Sequence, residues 1–259
     1  MSVMESTYGR RLLVSVDAAG YGRADDHRQH AIQAGLLGVL EQAAGRAGLD
    51  RVSWDRQAAG DGELAVLPAD AHAAEPALID DFGRELGNAL NDHNRYVRDE
   101  VRLRLRIAVH FGVVAKDRNG FSGQGPVAVS RLVDSASAKH ALAAIPNANL
   151  VVVLSHRVFT DAVVQGHTAL TSKQFRPVRV RNKEFDDDAY LYVPGHDVTA
   201  VVLPEDLSEG DLREAPNVPR KPSDLSDRSA TGPILSSEGT FHGNVSVTNG
   251  NIGSTWSRS

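Results

Sequence analysis

Two aspartates define the chemistry open to this sequence. Asp17 ends the apolar run Leu12-Leu13-Val14-Ser15-Val16. Asp61 sits in Gly60-Asp61-Gly62, between two strand-like runs, Arg51 to Gln57 and Glu63 to Leu67. A close pair of carboxylates on a glycine-flanked sheet edge suits Mg²⁺ or Mn²⁺, hard ions that take oxygen ligands and keep positions open for phosphate. Two metals held in this way activate an attacking oxygen and neutralise a leaving phosphate. Gly20, Tyr21 and Gly22 precede a helix N-terminus, where backbone N–H groups can approach a triphosphate. Taken singly, each feature also has a plain reading as a hairpin, turn or capping residue.

The surrounding elements decide whether the aspartates meet. Asp25 or Asp26 caps a helix whose Ile32, Leu36, Val39, Leu40 and Ala43 recur at helical spacing, and Gly48 closes it. Pro76 opens a second helix with Leu78, Ile79, Phe82, Leu86 and Leu90 on one face. Val101, Leu103, Leu105, Ile107 and Val109 alternate with Arg102, Arg104 and Arg106 in the clearest strand pattern of the chain. The arginines are read either as an anion-binding face or, as the simpler account, as the solvated face of a half-buried strand. A turn at Asp117 to Gly120 leads to a helix from Gly125 to about His140. A strand over Asn149 to Leu154 and a short helix capped by Ser155 follow, then strands over Phe175 to Arg181 and Ala189 to Val193.

The order β-α-β-β-α-β-α-β-α-β-β predicts an α+β fold, its first six elements forming a ferredoxin-like split βαβ unit. In that topology the first strand lies antiparallel beside the third. The strand end at Asp17 then adjoins the strand start after Asp61.

Composition narrows the alternatives. The 259 residues are 41% hydrophobic and 24% charged, with a formal charge of -5. That charge argues against non-specific nucleic-acid binding. The absence of cysteine removes disulfides, thiolate catalysis and cysteine-based zinc sites, and fits a cytoplasmic protein. No run is long enough to span a bilayer, and the first residues lack a signal-peptide pattern. There is no Gly-x-Ser-x-Gly elbow, phosphate-loop Gly-Lys-Ser/Thr or His-Glu-x-x-His. His110 reads as a packed strand histidine and Asp186-Asp187-Asp188 as a solvated turn.

Four segments taken together resemble a known family. Val16 to Tyr21 is similar to the "D-x-x-G-[FY]" strand end of class III nucleotide cyclases, and Gly60 to Val66 to their "G-D-x-x-x-A" hairpin. Arg104 to Val114 is similar to their "R-I-G-[IV]-H-x-G-x-V" strand, and Gly125 to Asp134 to their "G-x-x-V-N-x-A-x-R-L" helix. The resemblance covers about residues 10 to 195 and is closest to stand-alone actinobacterial cyclase-like proteins. It implies that Asp17 and Asp61, with the Ala18 carbonyl, hold two Mg²⁺ or Mn²⁺ ions. It also implies that Arg131 stabilises the transition state from the second subunit of a homodimer, and that an NTP becomes a 3′,5′-cyclic nucleotide and pyrophosphate. Two positions depart from the pattern: Val127 replaces the helix asparagine, and Gln57 replaces the purine-reading lysine, with no partner found for it between Val133 and Leu154. The base is left open, pyrimidine cyclases of anti-phage defence included, and so is a catalytically silent sensor or adaptor.

The predicted domains are a flexible N-terminus (1–10), the cyclase-like domain (11–204), a disordered linker (205–238) and a β-prone Gly/Asn-rich tail (239–259). Residues 239–256 are uncharged over most of their length and rich in asparagine and β-branched residues. They resemble amyloid-like signalling motifs that recruit a protein partner; a plain flexible terminus or a strand that pairs with a sheet edge is the alternative.

Overall fold

A computed structural model describes residues 8–206. Residues 1–7 of the predicted N-terminus, and all of the predicted linker and tail but residues 205–206, lie outside the described residues. One sheet organises the rest, with strands β1 (Gly9–Ala18), β2 (Asp55–Ala58), β3 (Gly62–Val66), β4 (Leu105–Asp117), β5 (Gly120–Ser122), β6 (Leu150–Ser155), β7 (Arg176–Asn182) and β8 (Phe185–Tyr192). Its order is β2-β3-β1-β4-β6-β8-β7, with β5 paired to the far end of β4. β1 is antiparallel to both β3 and β4, the ferredoxin-like arrangement expected.

Alternation along β1 sends its side chains to two cores. Leu12, Val14 and Val16 join α1 (Asp26–Arg46) and α3 (Asp81–Asn94) on one face, where Leu36, Leu40, Phe82 and Leu86 are buried. Leu13 faces α4 (Gln124–Val133) and α5 (Ala136–Ala144) on the other, among Val129, Leu132 and Val153. Asp25 caps α1 by accepting the Arg28 N–H at 2.9 Å. Among the described residues no helix is long and apolar enough to cross a membrane.

Several boundaries differ from the sequence reading, each for a local reason. The helix opened by Pro76 is two, α2 (Glu75–Ile79) and α3, broken at Asp80, which uses its carboxylate on the Ala169 N–H. The helix from Gly125 breaks at Asp134, and Ser135 caps α5 by accepting from Ala138 N. Residues Asp99–Val101 form a single 3₁₀ turn, and the strand begins at Leu105 and runs on to Asp117. Arg51–Ser53 is likewise a 3₁₀ turn before β2. Ser155 precedes the short α6 (His156–Val158) without capping it; its hydroxyl is buried and unpartnered. Asp186, Asp187 and Asp188 lie in β8, not in a turn, with Arg179 bridging Asp186 and Asp188 across the ladder.

Candidate active site

The ladder itself brings the two aspartates together. Asp17 pairs in register with Gly62, and the Ala18 N–H donates to the Asp61 carbonyl at 2.7 Å. Gly62 is required there, because a Cβ would collide with the Val16 carbonyl oxygen. Gly60, at φ +61°, supplies the left-handed residue of the hairpin. Both aspartates are partly exposed. The donors at this edge are carboxylate and backbone oxygens, the set that hard divalent cations take. Among the described residues no group of three or more acidic or histidine side chains is arranged around a metal position. Two carboxylates are therefore the anionic contribution of this edge, and they fit an ion that keeps water and phosphate in its remaining positions.

Three supports of this edge are not evident from the sequence motifs. Arg51, only 3% exposed, binds both oxygens of the buried Glu63 at 2.7 and 2.9 Å and adds Glu41 at 3.1 Å. That pair fixes β3 two residues beyond Asp61. Gln33 donates to the Tyr21 hydroxyl at 2.8 Å and to the Gly60 carbonyl at 3.1 Å, tying the loop after β1 to the hairpin. Arg106, across the ladder from Asp17, donates to its carboxylate. The register of β1 against the arginine-bearing strand is the signal that would have found Arg106. Nothing in the spacing marks Gln33 or Arg51.

The three strand arginines thus have three separate duties and form no common anion-binding or solvated face. Arg102 holds the Asn149 side chain, and Arg104 donates to the carbonyls of Leu142, Ile145 and Ala148 at the end of α5. Arg106 is buried against Asp17.

The loop Gly20-Tyr21-Gly22 is a 3₁₀ turn entered through Gly20 at φ +86°. A cavity of about 280 Å³ opens beside it, lined by Ala19, Gly20, Arg23, Arg28, Asp99 and Arg102 among others. Gln57, in β2, lies against the β4–β5 hairpin, so closely that a Cβ on Gly120 would strike its carboxamide.

Arg131 belongs to a different neighbourhood. It extends from α4 to Glu184 in the β7–β8 turn, at 3.4 Å, and its Nε is buried without a partner. No contact joins it to Asp17 or Asp61 among the described residues. One turn earlier, Val127 is 38% exposed. Close by, the His110 ring lies over Gly112, and burial holds its pKa below the ordinary histidine value, with Asp187 opposing and Arg10 adding to that shift.

No family model matches the sequence, and no curated protein matches it. Solved structures do match. The adenylate/guanylate cyclase/hydrolase from Silicibacter pomeroyi is 18% identical, with 73% of this chain and 99% of that one covered at a TM-score of 0.51. The adenylyl cyclase CyaB from P. aeruginosa is 11% identical, with 74% and 97% covered at 0.51. The guanylyl cyclase Cya2 is 13% identical, with 73% and 93% covered at 0.50. At such identities the likeness is one of architecture: this chain has the fold of class III adenylate/guanylate cyclase catalytic domains.

Proposed function

We propose that the protein is a nucleotide cyclase that converts an NTP into a 3′,5′-cyclic nucleotide and pyrophosphate as a signal. The observation that carries the reading is the backbone-fixed juxtaposition of Asp17 and Asp61 at one edge of a cyclase-fold sheet. Asp17 and Asp61, with the Ala18 carbonyl, would hold two Mg²⁺ or Mn²⁺ ions. Bound there, such ions lower the pKa of a ribose 3′-hydroxyl and neutralise charge on the leaving phosphates. The turn at Gly20, Tyr21 and Gly22 presents backbone to the phosphates. Gln57, pressed against the β4–β5 hairpin, offers a carboxamide that donates to or accepts from a base edge.

Arg131 stabilises charge at the α-phosphate, an effect of roughly 3 kcal/mol for a well-placed donor. Its location on α4, in contact with Glu184 and not with the aspartates, supports a homodimer in which each site takes its aspartates from one protomer and its arginine from the other. The deciding experiment incubates purified protein with each of the four NTPs and Mn²⁺ or Mg²⁺, and measures pyrophosphate and cyclic product. A folded dimer that converts none of the four refutes the enzyme reading.

A second reading rests on Val127, an exposed apolar residue where the resemblance expects an asparagine. It makes the protein a silent nucleotide sensor or adaptor. Nucleotide binding without product, together with loss of signalling when residues 239–259 are removed, would select it.

A further inference from the structure

Arg106 differs from every other buried cation of the domain in what it holds. It is 8% exposed and donates to Asp17, the carboxylate on which the metal reading depends. Its Nε is buried and has no partner. Burial works against its charge, and Asp134, at the end of α4, works in favour of it. A guanidinium offers five donors in a fixed fork. Here the fork is only partly used, on a carboxylate that stays 22% exposed to solvent. Losing one partner of such a pair leaves the other charge buried and uncompensated.

We propose that Arg106 is the resident counter-ion of Asp17 and that a divalent cation takes this carboxylate by displacing the guanidinium, so that Arg106 sets the metal affinity of the site. The inference rests on the metal reading of Asp17 and Asp61. Arg106 sets a positive charge against the carboxylate that a dication would need, in a half-buried setting where screening is weak. Before the ion arrives, the arginine neutralises Asp17 and keeps the end of β1 joined to β4. Arg106 is therefore a positioning residue, acting on the metal through the carboxylate.

The test measures Mn²⁺ binding alone, without nucleotide, by titration calorimetry and by loss of the free Mn²⁺ EPR signal. It uses the full chain and its Arg106→Gln, Arg106→Lys and Asp17→Asn variants. Arg106→Gln should bind Mn²⁺ about tenfold more tightly, Arg106→Lys within about twofold of the parent, and Asp17→Asn at least about tenfold more weakly. Unchanged or weaker binding by Arg106→Gln, with loss in Asp17→Asn, overturns the counter-ion proposal and leaves the metal reading standing. No Mn²⁺ binding by parent and Arg106→Gln alike refutes the metal reading and the proposal with it. Should Arg106→Gln fail to fold, the parent protein decides by NMR. The Arg106 Nε–H resonance should shift during a Mg²⁺ titration in step with the Asp17 amide. An unmoved Arg106 resonance at saturation of Asp17 overturns the proposal.

Discussion

Two buried arginine–carboxylate pairs flank the candidate metal edge, and they are built for opposite purposes. At the foot of the hairpin, Arg51 uses both ends of its fork on Glu63 and adds Glu41. Every charge there is answered within the protein. At the end of β1, Arg106 meets a single carboxylate and leaves Nε unpartnered. The first pair is an anchor whose members have nothing else to bind. The second ties up a carboxylate that a metal would need. Buried charge at an active-site edge is therefore not uniform in meaning: the count of satisfied donors separates what fixes the site from what the site uses.

The largest expected effect falls on the second pair. Asp17→Asn and Asp61→Asn should each lower turnover at least about a thousandfold, since on the proposed function each removes a carboxylate that would hold metal. Asparagine is the better replacement, because it keeps a side-chain acceptor for Arg106 that alanine would remove. Near-parent product formation by either variant would break the comparison at its root.

The anchor should respond in the other coordinate. Glu63→Ala leaves the Arg51 guanidinium buried beside Glu41 alone and should cost about 3–5 kcal/mol of stability. Chemical denaturation measures this. A loss below about 1 kcal/mol would mean that the hairpin is held by its ladder and not by the ion pair.

Arg131→Ala should reduce kcat by about a hundredfold or more, roughly 3 kcal/mol, with KM little changed and stability nearly intact. Mixing it with Asp17→Asn sharpens the distinction between the two half-sites. If the aspartates and the arginine come from different protomers, the mixed dimers regain part of the activity that neither parent variant has. No recovery after verified subunit exchange would place both halves of the site in one chain.

How far these regions could be read from the sequence follows from what each depends on. The approach of Asp17 to the Asp61 hairpin depends on topology, and the β-α-β-β order carries topology. The split of the sheet's helices between two faces follows from alternation along β1. Breaks such as Asp80 and Asp134–Ser135 depend on a side chain preferring one backbone group over the helix, a choice made in three dimensions. The arginines at and just before the start of β4 show the limit most clearly. Alternation places Arg102, Arg104 and Arg106 on one face of a strand, but their partners come from residue 149, from the end of α5 and from β1. Gln57 and Gly120 meet for the same reason: the turn expected at Asp117 to Gly120 returns along β4 as β5, and its approach to β2 is set in three dimensions.

A smaller effect tests the clamp between loop and hairpin. Tyr21→Phe removes the hydroxyl that accepts from Gln33 while Gln33 keeps the Gly60 carbonyl. The loss should be about 1 kcal/mol in stability. A larger rise in KM for NTP than fall in kcat would show that the clamp shapes the phosphate loop and not the metal edge.

The smallest effect comes from pH and lies outside both arginine pairs. His93, packed against Gly35 of α1, and His110, over Gly112, both have pKa values held down by burial. Above the ordinary histidine value of about 6.5 each is neutral whether the chain is folded or not, and neither adds any pH dependence. As pH falls through that value, the unfolded chain takes up protons that the folded one resists, so stability declines until the folded histidines also charge. Denaturation midpoints measured from pH 7.5 to 5.5 should therefore fall gently, and His93→Gln should flatten part of that slope. Glu63→Ala, which touches neither histidine, should lower the curve and leave the histidine-derived slope in place. A variant of the anchor that altered the slope instead would mean that the Arg51 pair is linked to a titrating histidine, and that the anchor is less self-contained than its geometry implies.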